Sequence, residues 1–292
     1  MAKRMTIVKT ITLRICCLLL LNALSIQSHG DTHAPDTGQS DLINIAVASN
    51  FLNTARQLET LFEKSTTHSI NIISASTGQL THQILNGAPF SVFLSANKEH
   101  PESLHTKLDL PADSLFIYAQ GSLVLVSHNP INQFPSFSRP LQNPNAIYTE
   151  LEKDIIKQVL ESANKVALAN EKLAPYGRAT IETLTTLNLL STIKNKTITG
   201  QNIAQTHQLF SSQSVDAAFI AKSQLSNLTL SKDNDNKVIK GIIPISSQWH
   251  QPIEQWGLLI SNSPAAQAFV SFLSSPEALN IIKNNGYGTP SQ

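Results

Sequence analysis

Short β-branched apolar runs recur along this chain. Each ends in small hydroxyl or amide residues and gives way to an amphipathic helical pattern, and this alternation limits the folds available. Ile43-Asn44-Ile45-Ala46-Val47-Ala48 reads as a buried strand, Ser49-Asn50 closes it, and Phe51, Ala55, Leu58, Leu61 and Phe62 then share one helical face. A second strand at 70–73 breaks at Ser74 to Gly78 before a helix over 80–85, and a third strand at 92–94 precedes a helix near 101–105. A β-α-β-α-β order is satisfied by a mostly parallel sheet with helices on both faces. Further strands are expected at 115–118, 123–126, 166–169, 215–220, 242–245 and 258–260. Helices are expected at 151–162, 178–190, 203–210, 264–273 and 276–283, with a turn at 174–177. Prolines make 128–144 mostly loop, and the polar run 231–237 reads as a surface turn.

The first thirty residues obey different rules. Lys3, Arg4, Lys9 and Arg14 come without an acid, an apolar run from Ile15 follows, and Ser25, Ser28 and Gly30 offer small-residue cleavage points. That is the order of a secretory signal peptide over 1–30, with 31–40 as a flexible lead-in. The apolar run spans about 12 residues, short of the ~20 needed to cross a bilayer; the alternative is an uncleaved anchor. Both cysteines, Cys16 and Cys17, lie in this leader, so the mature chain carries no disulfide framework, thiol nucleophile or thiolate metal site. Loss of the four leader cations turns a formal charge of +1 into about −3. Such a chain has no basic field for nucleic acid.

Catalytic signatures are missing. The nine histidines follow no metal-binding spacing, and there is no G-x-S-x-G elbow, phosphate loop or G-x-G-x-x-G. The chain is therefore expected to be a binder rather than an enzyme, with no cofactor and no direct cation site.

What remains is a set of strand-to-helix corners: Ser49-Asn50, Ser76-Thr77-Gly78, Pro175-Tyr176-Gly177 and Asn202-Ile203. Helix N-termini carry free N–H groups and partial positive charge, and several aimed at one point make an anion site without a formal cation. Ligands of open α/β sheets sit beyond the carboxyl ends of the strands, where these corners fall. Taken singly, each Ser, Thr or Asn is an ordinary cap of about 1 kcal/mol, and Tyr176 a half-buried packing residue.

Seven stretches in order resemble the periplasmic molybdate-binding proteins of ABC transporters, which are class II solute-binding proteins. They are Ile45-Ala46-Val47-Ala48-Ser49-Asn50-Phe51, Ser74-Ala75-Ser76-Thr77-Gly78-Gln79-Leu80, Gln83 to Phe90, Val92-Phe93-Leu94-Ser95-Ala96, Gly121-Ser122-Leu123-Val124-Leu125, Ala169-Asn170 with Ala174-Pro175-Tyr176-Gly177-Arg178-Ala179, and, near the end, Pro252-Ile253-Glu254-Gln255 with Phe272 to Ala278. The likeness covers about 41 to 290. It implies a two-lobed type II periplasmic-binding-protein fold, α/β throughout, with 41–118 and 247–292 in one lobe and 119–246 in the other.

The resemblance also implies a function: capture of molybdate or tungstate in the periplasm by neutral donors, and delivery to a membrane permease by a monomeric carrier. Carried over by position, Ser49 gives a hydroxyl and N–H with Asn50 beside it. Thr77 gives a second hydroxyl and N–H, with Ser76 as the alternative. Tyr176 and Ile203 give backbone N–H groups. One family branch adds a tyrosine hydroxyl where this chain has Ala221, and Ser91 stands where an Asp is common; the chain looks like a second branch that lacks that tyrosine. A donor-only pocket disfavours protonated oxyanions and so phosphate, while leaving sulfate or thiosulfate as the rival cargo. An iron(III) receptor with paired tyrosines, a periplasmic enzyme on this fold and a sensing domain are the more distant alternatives.

Overall fold

The computed structural model describes residues 41–130, 150–228 and 239–288. The expected leader and lead-in, most of the proline-rich loop and the polar run 231–237 lie outside them.

The first apolar run forms β1 (Leu42–Ala48), whose side chains alternate between two cores. Ile43, Ile45 and Val47 join one cluster and Ala46 joins the other, so both faces of the strand are covered. α1 (Leu52–Ser65) follows, burying Ala55, Leu58 and Phe62 along one stripe. Then come β2 (Ser69–Ala75), α2 (Thr77–Leu85), β3 (Val92–Leu94), α3 (Glu99–Lys107) and β4 (Leu115–Gln120). The chain next builds β5 (Leu123–Ser127), α4 (Glu150–Ser162), β6 (Val166–Ala169), α5 (Pro175–Thr186), α6 (Leu190–Ile193), β7 (Thr197–Gly200), α7 (Ile203–Ser211), β8 (Ala217–Ala221), a 3-10 turn (Lys222–Asn227) and β9 (Gly241–Pro244). It returns through β10 (Glu254–Leu259), α8 (Pro264–Phe272) and α9 (Pro276–Asn284).

Two five-stranded sheets result, in the orders β2-β1-β3-β10-β4 and β7-β6-β8-β5-β9. They share one plan. In the first, β1 lies parallel to β2 and β3, and in the second β6 lies parallel to β7 and β8. The strands that come back from the other half pair antiparallel: β10 with β3 and β4, and β5 with β8 and β9. The fold is thus two-lobed α/β, each sheet parallel at one side and antiparallel at the other. The reason is the double crossing, at Gly121-Ser122 and again between β9 and β10, which brings in strands of opposite sense.

The expected turn at 174–177 is the first turn of α5. Pro175 occupies the first helical position, where its missing N–H costs nothing and its fixed φ suits the helix. The expected helix over 178–190 ends at Thr186, and Asn188 has a φ of 57°, a left-handed conformation that separates α5 from α6. Strand β7, at an edge, was not marked in the sequence: of its four residues only Gly200 is buried.

Candidate functional site

The shared plan puts equivalent corners on equivalent strands. β1 and β2 run into α1 and α2, and β6 and β7 run into α5 and α7. All four helices begin at the carboxyl ends of their strands, where ligands of such sheets gather. The four corners meet. Ser49, Asn50, Ser76, Thr77, Tyr176 and Ile203 line one small cavity, so every residue singled out in the sequence is brought together. The enclosed space is about 10 Å³, room for one water-sized body. No Lys, Arg or His lines it, and among the described residues no cluster of His, Cys, Asp or Glu is arranged to hold a metal ion.

Hydrogen-bond accounting separates these residues by what they have left to give. The N–H of Ser49 extends the sheet by donating to Ala75 O at 3.0 Å, so Ser49 offers its hydroxyl alone, not the hydroxyl and N–H expected. Asn50 has both side-chain amide protons engaged, to Gln255 Oε1 at 2.7 Å and Tyr287 Oη at 3.0 Å. Its carbonyl accepts from Tyr287 Oη at 2.8 Å and Ser223 Oγ at 3.1 Å. What remains is its main-chain N–H, which has no partner among the described residues.

Ser76 is an N-cap in a full capping box. Its hydroxyl donates to Gln79 Oε1 at 2.8 Å, and the Gln79 N–H lies 3.4 Å from that hydroxyl oxygen. Thr77 is differently placed: its Oγ1 accepts from the Ala96 N–H at 3.2 Å, which leaves the hydroxyl proton and the main-chain N–H to donate. The next donor of α2, the Gly78 N–H, is taken by Leu173 O at 3.0 Å, a bond from one half of the molecule to the other.

In the second half, Tyr176 presents an unpaired first-turn N–H at the start of α5. Gly177 beside it is required, since a Cβ there would lie 2.3 Å from Ala169 O. The Tyr176 ring is buried and its hydroxyl lacks a hydrogen-bond partner. Burial pushes that phenol well above its usual range; Tyr287 and Tyr118 add to the shift and the Asn50 side chain opposes it. Ile203 opens α7 behind the Asn202 cap, whose Oδ1 accepts from the Gln205 N–H at 2.9 Å, and the Ile203 N–H stays free. The cavity therefore collects uncommitted donors from two hydroxyls and several amides, backed by four helix N-termini, and can hold an anion without an ion pair.

Sequence reasoning missed the polar group behind this wall: Gln255, Tyr287, Ser223 and Gln224, all buried. Their contacts with the site span up to 237 residues of chain, and no local pattern announces them. A much larger open groove, about 680 Å³, runs along α6 and β7 past Lys172 and Lys194. It contains none of the helix-start donors.

Comparison with known proteins gives a concordant picture. The model of a family described as bacterial extracellular solute-binding proteins matches residues 43–288. The molybdate-binding protein ModA of Azotobacter vinelandii is 33% identical over 254 residues, covering 86% of this chain and 91% of that protein. ModA of Rhodobacter capsulatus is 32% identical over 247 residues, 84% of this chain and 87% of its own length. The solved Azotobacter periplasmic molybdate-binding protein superimposes with a TM-score of 0.68 at 30% identity, covering 85% of this chain and all of that one. A sulfate-binding protein from Mycobacterium tuberculosis, at 12% identity and a TM-score of 0.62, shares the fold.

Proposed function

This chain belongs to the family of bacterial extracellular solute-binding proteins, and from that premise we propose that it captures a tetrahedral oxyanion, molybdate or tungstate, in the periplasm and delivers it to the membrane permease of an ABC transporter. The observation that carries the proposal is the single cavity into which Ser49, Thr77, Asn50, Tyr176 and Ile203 turn donors that no other group uses. In this reading the hydroxyls of Ser49 and Thr77 and the N–H groups of Asn50, Thr77, Tyr176 and Ile203 hold the oxygens, and Ser76 serves as the cap of α2. Charge-assisted hydrogen bonds are roughly twice as strong as neutral ones, and a dianion that never accepts a proton leaves none of these donors facing another donor.

The lobes in this reading are 41–118 with 247–292, and 119–246, and the carrier acts as a monomer. Contacts from both lobes favour the shut form, which is hinge closure around a ligand. The crossings at Gly121-Ser122, just past the end of β4, and near Ser246-Ser247 are the parts that flex. As the lobes stand, the cavity is smaller than a tetrahedral oxyanion, so in this reading the lobes part to admit the ion and then close around it less far.

Isothermal titration of the chain from residue 31 with molybdate, tungstate, sulfate and phosphate tests the reading. Tight binding of the first two, with sulfate at least tenfold weaker and phosphate silent, is the expected result. Sulfate preferred, or no heat with any of the four, overturns it.

A further inference from the structure

We infer that the turn Lys222–Asn227 couples closure of the lobes to the anion site, with Ser223 and Gln224 as positioning residues that never touch the ligand. The inference rests on the oxyanion-binding reading above. Neither residue lines the cavity, yet each holds one that does.

Gln224 works within its own half. Its side-chain carbonyl accepts from the Ala221 N–H at 3.1 Å and its amide donates to Ile203 O at 3.2 Å. One planar group thereby ties the end of β8 to the first residue of α7 and so holds in place the helix start that carries the Ile203 N–H. Ser223 reaches the other half, donating to Asn50 O at 3.1 Å. That carbonyl also accepts from Tyr287 at 2.8 Å, so both of its lone pairs are filled. The turn is further anchored to the crossing strand, where the Lys222 N–H donates to Ser122 O at 2.9 Å.

Ser223 and Asn50 stand at strand ends of different sheets, so parting of the lobes breaks their bond, whereas the Gln224 brace survives it. The Ser223 bond is buried at both ends and adds to the stability of the shut state alone. An anion meets the open form, so the association rate is indifferent to Ser223 and the dissociation rate is not.

Stopped-flow kinetics of molybdate binding to the full mature chain separates the two rates. Ser223→Ala is expected to speed dissociation about fivefold, the worth of one ordinary net hydrogen bond, with association unchanged and the same factor for tungstate. Gln224→Met is expected to weaken equilibrium affinity several-fold. Ser226→Ala, an exposed change in the same turn, leaves both rates as they are. An unchanged dissociation rate in Ser223→Ala overturns the coupling, as does an equal effect of Ser226→Ala; unchanged affinity in Gln224→Met overturns the brace. A wild-type protein that binds no oxyanion removes the functional reading and this inference with it, a result distinct from a wild type that binds and variants that do not differ from it.

Discussion

The hydroxyl of Tyr176 lies 2.3 Å from the point where a Cβ on Gly121 would sit, and the ring behind it is held by the core. Gly121→Ala therefore pushes a rigid side chain out of place at the crossing between the sheets. Overpacking of this kind costs about 1–3 kcal/mol, which urea denaturation will detect as a lowered midpoint. At the candidate site, Ser49→Ala combined with Thr77→Ala removes the two hydroxyls of the proposed anion pocket. The expected loss is about 3 kcal/mol or more, a hundredfold in affinity and upward by titration. The ligand-free protein stays folded, though about 1–2 kcal/mol less stable, because the Ala96 N–H loses its acceptor. The placement of Ser49, Thr77, Tyr176 and Ile203 at strand-to-helix corners was legible in the sequence because a strand end followed by a helix start is a local pattern. Between Thr77 and Ser76 the sequence left both open; the structure separates them, because Ser76 is engaged in a capping box with Gln79. The state of Asn50 was not legible, since its side-chain partners lie 205 and 237 residues away.

Helix starts, more than side chains, make this site, and each is built differently. α2 relies on its capping box, α7 on the Asn202 side chain, and α5 on Pro175 with no side-chain cap at all. Asn202→Ala is expected to cost about 1 kcal/mol of stability and to weaken anion binding as well, because fraying of the first turn lets the Ile203 N–H wander. Thermal melts with and without molybdate check both effects; a change in stability with no change in affinity would show that α7 does not contribute to the site. Elements with strong apolar periodicity, such as α1 and β1, were read from sequence close to their observed limits. β7 escaped because Thr197-Ile198-Thr199-Gly200 is short and largely exposed at a sheet edge, and the early part of β10 because Glu254-Gln255-Trp256 carries polar and aromatic residues rather than an apolar run.

The whole molecule is two versions of one plan joined by a chain that crosses twice, and its joint is lined with phenols. Tyr118, Tyr176 and Tyr287 are all raised above the ordinary tyrosine range, chiefly by burial. Unfolded tyrosines release their protons near pH 10 while these retain theirs, so above that pH the unfolded chain binds fewer protons and stability falls as pH rises. Between pH 10 and 11 the expected slope reaches about 1.4 kcal/mol per pH unit for each such tyrosine, and Tyr287→Phe makes it shallower; equal slopes in denaturant titrations of the two proteins would contradict this. The antiparallel order of the returning strands follows from the double crossing, which periodicity within single segments does not reveal. The late residues also govern the earliest corner. Tyr287 grips Asn50, and Gly288 next to it exchanges hydrogen bonds with Gln120 at 2.8 and 2.9 Å. On a ribosome Asn50 is made 237 residues before its partner, so a nascent polypeptide passes through most of its translation unable to finish the pocket. Completion of the wall behind Asn50 is thus a late event in synthesis, reached only once Tyr287 has been added.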